Sequence, residues 1–531
     1  MRRITHAAGP DVEASGSTSS LVDRVFLFWA RASLPRDRTA GIRKTKNNTH
    51  RSSQVTWLND IVTSVNDILW SYVLIIMLVG LGIWFTARTG FVQVRLLPEM
   101  VRLVGEGAGA QPRKGHISTF QAFCVSTASR VGVGNIAGIA IAVVTGGPGA
   151  VFWMWVIATL GAATGFVEST LAQVYKVPKK GGGFVGGPAY YIGNVLGSPF
   201  FAMVFSVLIS ITYGLIFNSV QANTIALSMQ TSFGVSPLVA GIGIAALTGI
   251  VIFGGVIRIA KIVGWMVPFM AGAYLLLAFI VTVMNITMVP EVLATIVRCA
   301  FDFDAVLGAG FGMALMTGIK RGLFSNEAGM GSIPNAAATA DATHPAKQGL
   351  VQALGVYVDT LFVCTASAMI VMLSPDWQTA GVTGIELAQH SLAGQLGDWT
   401  NVFMTVIVLF FAFSSIIGNY FYGEVNMDFI SHSPAALPIF RGLVVLMVFF
   451  GSIASLGLVW NLADLFMALM AILNLIAIAM LGRIAYVVLE DYCAQKRAGV
   501  KNPEFDPSVL PSSKGVLAWP RHPEEEIQQE R

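Results

Sequence analysis

The chain has 531 residues, of which 54% are hydrophobic and only 12% charged, with a formal net charge of +4. Soluble domains carry about 25% charged residues, so the composition excludes an ordinary soluble protein; the net charge says little by itself, because the placement of Lys and Arg between spans matters more than their sum, and nucleic-acid binding has no support. The four cysteines, Cys124, Cys299, Cys364 and Cys493, form no CxxC pair and no cluster with histidine, so neither a disulfide framework nor a zinc site is expected.

Residues 1–65 are polar and rich in Arg, Ser and Thr, and read as a disordered extension. Their one apolar piece, LVDRVFLFWA, is too short and too interrupted for a span. From Leu69 almost to Val488, apolar runs of membrane-crossing length recur. Apolar length and Gly, Pro and charge punctuation predict eleven spans, near 69–88, 118–145, 150–176, 200–230, 236–256, 260–285, 306–335, 348–373, 400–424, 440–458 and 461–488. The piece at 289–305 mixes charge with apolar residues at helical spacing and suits an interfacial helix. The expected protein is therefore an all-α integral membrane protein with a transporter-like body over 66–490 and a polar tail over 491–531.

Orientation follows from the loops. Arg88, Arg95, Arg102, Arg113 and Lys114 follow span 1, and Lys176, Lys179 and Lys180 follow span 3, whereas the loops at 145–149, 231–235, 374–399 and 459–460 carry no Lys or Arg. Basic loops face the cytoplasm, which places the C-terminus inside a multi-pass cell-membrane protein. The basic residues Arg43, Lys44, Lys46 and Arg51 before span 1 run against this pattern.

Two spans are visibly broken. Span 2 carries Ser126, Thr127, Ser129 and Arg130 and then the glycine cluster VGVGN, while span 7 carries Gly318, Lys320, Arg321, Asn326 and Glu327. Irregular backbone at membrane depth is tolerated only where protein or a water-filled cavity satisfies the freed amides and carbonyls. The breaks fall in the first spans of two successive five-span units, about 118–285 and 306–488, with span 1 left over. That is the pattern of an inverted-repeat transporter, in which half-helix ends meet near the midplane. Small-residue packing competes as an explanation; it suits Gly138, Gly161 and Gly165, whereas Gly132 and Gly134 coincide with polar neighbours and a paired break.

Three segments carry a family likeness: RVGVGNIAGIAIAVVTGGPGAVFWMW at 130–155, KRGLFSNEAGMGSIPNAAATADATHPAKQG at 320–349, and FFAFSSIIGNYFYGE at 410–424. Together they resemble the alanine or glycine:cation symporter family, within the amino acid-polyamine-cation transporters, and the likeness covers roughly 65–490. It implies sodium-driven uptake of alanine or glycine through a five-plus-five inverted repeat like that of the leucine transporter, with one extra N-terminal helix and no cofactor beyond Na+. It also implies that Gly132, Val133, Gly134 and Asn135 form the unwound part of span 2, the amides of Val133 and Gly134 receiving the substrate carboxylate. The substrate ammonium would meet carbonyls around Thr317, Gly318 and Ile319, taken as the span 7 break. Val133 stands where the family usually has Thr.

For the cation, the resemblance implies the carbonyls of Ala128 and Val131 with the hydroxyls of Ser414 and Ser415, oxygen ligands of the kind hard cations prefer. Asn135 either binds at the site or braces it. Tyr213 and Phe217, four apart on span 4, share a helix face and either wall the pocket or pack ordinarily. Buried charges are costly and expected to pair; Arg130, Glu168, Lys320, Arg321 and Glu327 read as gate or structural charges, with Glu168 paired to Lys320 or Arg321, and Asp359 tunes the cation region.

A proton-coupled transporter of the same fold is the nearest alternative. All seven histidines read as loop or terminal, and Lys261 would there stand in for sodium. An intramembrane enzyme would need a nucleophile and base at membrane depth, and a channel would need charge rings or a repeated filter; neither pattern is present. The expected partners are a small neutral amino acid, sodium and membrane lipid, with no obligate protein partner.

Overall fold

The computed structural model describes residues 62–108, 116–179, 182–254, 256–303 and 310–519. Nearly all of the N-terminal extension read over 1–65, the side chain of Lys261 and the end of the tail lie outside the described residues.

Apart from one short hairpin, Val177–Pro178 against Phe184–Val185, the regular structure of the described residues is helical. The chain runs through α1 (Val62–Arg88), α2 (Leu97–Ala108), α3 (Thr119–Arg130), α4 (Val133–Gly146), α5 (Gly149–Val174), α6 (Pro188–Asn194), α7 (Pro199–Phe233), α8 (Pro237–Ile252) and α9 (Val256–Met284). It continues through α10 (Val289–Ala300), α11 (Gly310–Asn326), α12 (Ile333–Thr339), α13 (Pro345–Met372), α14 (Gly384–Leu396), α15 (Trp399–Ile430), α16 (Ala436–Ile453) and α17 (Leu456–Arg497). By length and composition, nine helices among the described residues can cross a membrane. The broken helix α3–α4 counts there as one, α8 is shorter at 16 residues, and α11 ends after 17 residues at its break.

Local chemistry sets several of these ends. Ser118 caps α3 by accepting from the Gln121 amide at 3.1 Å while Gln121 Oε1 accepts from the Ser118 amide at 3.0 Å, a reciprocal box that satisfies two orphan donors. Prolines open α7 and α8, where the missing N–H costs no helical hydrogen bond. The segment read at 289–305 is helical over Val289–Ala300 as α10. The loop read at 374–399 contains α14, a buried helix packed against α4 and α15, which its modest length and mixed composition concealed.

Burial sorts the helices into core and rim. The most apolar stretch of α3–α4 is 89% buried, against 28% in α1 and in α16. A helix this covered must satisfy its polar groups through protein. It is enclosed by α15 and α9 against α3, and by α11 and α14 against α4, while α5 packs along α11 and α13. The tail beyond α17 folds back: the Phe505 amide donates to the Thr343 carbonyl at 3.0 Å and Trp519 Nε1 to the Gln173 carbonyl at 2.9 Å.

Candidate functional site

The first break lies between α3 and α4. Val131 leaves helical geometry at ψ 81° and Gly132 is extended at φ −135°, ψ −151°. Two amides freed there find side-chain acceptors: the Gly132 amide donates to Asn135 Oδ1 at 3.0 Å and the Val133 amide to Gln221 Oε1 at 3.1 Å. The glycines are required by close approach. A Cβ at Gly132 would lie 2.2 Å from Ser415 Oγ, and one at Gly134 2.7 Å from the Phe324 ring. Asn135, fully buried, braces the break, its Nδ2 donating to Asp359 Oδ1 at 2.6 Å and lying 3.2 Å from Ser325 Oγ.

The second break separates α11 from α12 at residues 327–332, where Glu327, Gly329 and Gly331 hold positive φ of 58°, 91° and 83°. Thr317, Gly318 and Ile319 are therefore not at the break. They sit inside α11, with Gly318 pressed against the Ala150 carbonyl and Trp153 of α5, and their carbonyls belong to a continuous helix. The carbonyls left without helical partners are those of the last turn, around Phe324, Ser325 and Asn326, and Phe324 is the residue that meets Gly134.

Charge pairing differs from the sequence expectation. Glu168 of α5 does not pair with Lys320 or Arg321. It accepts from the Gly329 and Gly331 amides at 3.1 and 3.3 Å and from Asn474 Nδ2 at 2.8 Å, and Asn474 also donates to the Gly329 carbonyl at 3.0 Å. A carboxylate suits unwound backbone because it accepts several N–H donors at once. Arg321 and Lys320 meet Asp464 of α17 instead, at 2.7 and 3.5 Å, with the Arg321 guanidinium 4.5 Å over the Trp460 ring. Arg130 meets Gln352 Oε1 at 3.0 Å and the Gln352 and Ser126 carbonyls, and Glu327 meets the hydroxyls of Ser129 and Ser332; neither is ion-paired among the described residues. Asp359 also accepts from Ser325, and from Thr360 at 3.0 Å.

Of the four residues named for the cation, Ser415 and Ala128 meet directly, the hydroxyl donating to the carbonyl at 2.9 Å across α15 and α3. Val131 ends α3 one turn on. Ser414 is turned toward α9, with its hydroxyl on the Phe411 carbonyl at 2.8 Å and 3.4 Å from Met270 Sδ. The tilted rings of Tyr213 and Phe217 meet at 4.7 Å, Phe217 meets Phe324 at 4.7 Å, and Phe324 meets Trp460 at 4.7 Å. This aromatic file runs past Gly134 and Gly138, whose missing side chains make room for Phe324 and Trp460.

Sequence reading missed Gln221, Phe324, Trp460, Asp464, Asn419 and Asn474. Gln221 had a signal in the polar run NSVQANT inside span 4, and Asp464 and Asn474 were polar residues within span 11. Phe324 and Trp460 had none, because an aromatic residue in an apolar helix is unremarked until its neighbours are known.

The chain matches the sodium:alanine symporter family over residues 55–507. It is 51% identical over 463 residues to the probable sodium/glutamine symporter GlnT of Bacillus subtilis (strain 168), covering 87% of this chain and 96% of that one. It is 42% identical to the putative sodium/proton-dependent alanine carrier protein YrbD of the same organism, covering 85% of this chain and 96% of that one. It is 38% identical to the sodium/alanine symporter AgcS of Methanococcus maripaludis, covering 80% of this chain and 94% of that one. With its apolar spans, broken helices and paired polar junction, the chain belongs to the sodium:alanine symporter family and is a multi-pass membrane transporter rather than an enzyme.

Proposed function

We propose that the chain is a sodium-coupled symporter that imports small neutral amino acids by alternating access, on eleven spans built as two inverted five-helix units after one extra N-terminal helix, with its C-terminus in the cytoplasm. The observation that carries the reading is the approach of the two breaks, where Gly134 at the amide end of α4 meets Phe324 and Asn135 reaches Ser325 in the last turn of α11. Helix amide ends favour a carboxylate and carbonyl ends a cation. An α-amino acid laid across the junction presents its carboxylate to Val133 and Gly134 and its ammonium to the 324–326 carbonyls. Gln221, now on the Val133 amide, swings aside and turns its own amide N–H toward the carboxylate. Phe217, Phe324 and Trp460 wall the side chain.

Sodium is assigned to the Ala128 carbonyl and Ser415 hydroxyl, joined by the Val131 carbonyl, with Ser414 completing the shell only after turning from Met270. Its binding ties α15 to α3 and so completes the substrate site. Coupling of this kind is reciprocal, so substrate tightens sodium binding by the same factor.

Alanine and glycine are the assigned substrates. The similarity to a relative named for glutamine favours testing a longer neutral side chain as a second reading, and the relative named as sodium/proton-dependent keeps proton coupling as the alternative. The experiment is uptake of alanine, glycine and glutamine into proteoliposomes, with an imposed sodium gradient at fixed pH and with a proton gradient lacking sodium. Accumulation of alanine or glycine with sodium alone supports the assignment. Accumulation independent of sodium refutes the coupling, and glutamine outcompeting alanine refutes the substrate range.

A further inference from the structure

Three carboxylates lie buried around the two breaks, Glu168, Glu327 and Asp359, each at most 1% exposed, and one guanidinium, Arg130, lies buried with them. Nearby, Arg321 and Asp464 cancel one another, and Lys320, also on Asp464, is 15% exposed and is not counted among the fully buried charges. Three negative charges against one positive leave a surplus of two, and charge at membrane depth has to be balanced.

Counting donors ranks the three carboxylates. Glu168 receives two backbone amides and the Asn474 amide, and Asp359 receives Asn135, Ser325 and Thr360. Among the described residues Glu327 receives the hydroxyls of Ser129 at 2.8 Å and Ser332 at 2.7 Å and no backbone amide. Ser129 is shared, since its Oγ also lies 2.6 Å from Asn419 Oδ1. One hydroxyl has one proton, so either Glu327 Oε1 or Asn419 Oδ1 goes without a donor. Turning the Asn419 amide over leaves its oxygen where the unpartnered Nδ2 now stands.

Further buried oxygens border this carboxylate. The Tyr422 hydroxyl lies within electrostatic reach of Glu327 and, more weakly, of Arg130, and among the described residues neither it nor the Ser126 hydroxyl completes a hydrogen bond. Tyr213 interacts with Glu327 and Ser332. Glu327 itself is held at φ 58°, a left-handed conformation that residues other than glycine rarely adopt. The group is oxygen-rich, centred on one negative charge and short of protons. That chemistry takes a hard monovalent cation, whereas divalent ions gather more carboxylates.

We propose that Glu327, Ser129, Ser332, Asn419 and Tyr422 form a second monovalent-cation site, distinct from the Ala128–Ser415 pair. Ser129 adjoins Ala128 in α3 and Asn419 lies four residues beyond Ser415 in α15, so the two sites are about one helical turn, ~5 Å, apart. Two sodium ions held there bring the surplus of two negative charges to zero. The inference rests on the sodium coupling proposed above and deepens it to two cations per cycle.

The test is sodium titration of the purified chain in nanodiscs without amino acid, read as bound 22Na+ per chain, alongside thermal unfolding. The wild type is expected to bind two sodium ions, Glu327→Gln one, and Ser415→Ala two, one of them about tenfold more weakly. Glu327→Asp, keeping the charge, retains two. Tyr422→Phe removes a hydroxyl that completes no hydrogen bond, so it leaves the unfolding midpoint in place while weakening the second sodium by about tenfold. That variant carries the test if Glu327→Gln does not fold, because a merely structural role moves the midpoint and spares the affinity. A single sodium in the wild type, or unaltered binding in both Glu327→Gln and Tyr422→Phe, overturns the second site while sodium-driven uptake keeps the coupling intact. No bound sodium, with uptake on a proton gradient, overturns both.

Discussion

Asp464→Asn gives the sharpest test of how α11 is tied to α17. Asp464 Oδ2 is 2.7 Å from Arg321 Nη2 and 3.5 Å from Lys320 Nζ, and the Arg321 and Asp464 side chains are only 8% and 4% exposed. Neutralising the acid leaves two cations side by side, one of them buried, and Arg321 Nη1 already lacks a partner. Removing one member of a buried pair costs roughly 3–5 kcal/mol. The Trp460 face at 4.5 Å holds Arg321 before and after the substitution and so offsets nothing, and the full loss of about 3–5 kcal/mol is expected. The assay is thermal unfolding in detergent beside sodium-driven uptake, for Asp464→Asn, Arg321→Met and the pair Arg321→Met with Asp464→Leu. The apolar pair is expected to recover most of the stability lost by either single variant while uptake stays low, since the helix tie is gone. A double variant as unstable as the sum of the singles refutes the pairing as the source of the loss, and wild-type stability in Asp464→Asn refutes the burial argument.

Three further outcomes follow from the same geometry. Gly134→Ala puts a methyl 2.7 Å from the rigid Phe324 ring and is expected to abolish amino-acid uptake with the protein still folded, as read by size-exclusion profile; normal uptake would show that the junction opens further than argued. Ser415→Ala is expected to raise the sodium concentration for half-maximal uptake by about tenfold, and Ser414→Ala by clearly less, because only Ser415 meets Ala128; equal effects would place Ser414 in the shell after all. His344 lies outside the spans, with Nδ1 accepting from the Ala346 amide at 3.2 Å and Nε2 3.0 Å from Asp491. Burial holds its imidazole below the usual range against the pull of Asp491. The unfolded chain takes up that proton near pH ~6.5 and the folded one only lower, so this contribution is intact above that pH and is lost as pH falls through the gap. The unfolding midpoint should drop between pH 7 and 5.5, and His344→Gln should flatten that drop.

That two spans are broken was legible in the sequence because polar side chains and unwound backbone are costly against lipid, and VGVGN stands out against apolar surroundings for that reason. Ser415 with Ala128 was within reach by resemblance, and α10 by its mixed periodicity. The location of the second break was not. Lys320 and Arg321 drew attention to 317–321, yet those residues stay helical because Asp464 and the rings of Trp460 and Trp70 accept their charges. The chain turns at 327–332, where Glu168 captures the amides of Gly329 and Gly331.

Composition and apolar run length by themselves determined a multi-pass helical membrane protein with two polar interruptions, because lipid admits no other place for such runs. Only tertiary structure decided which charge meets which. Glu168 and Gly329 are 161 positions apart, and Asp464 and Arg321 are 143 apart. Partners so distant are chosen by how the helices pack, and no local pattern in the chain encodes that choice.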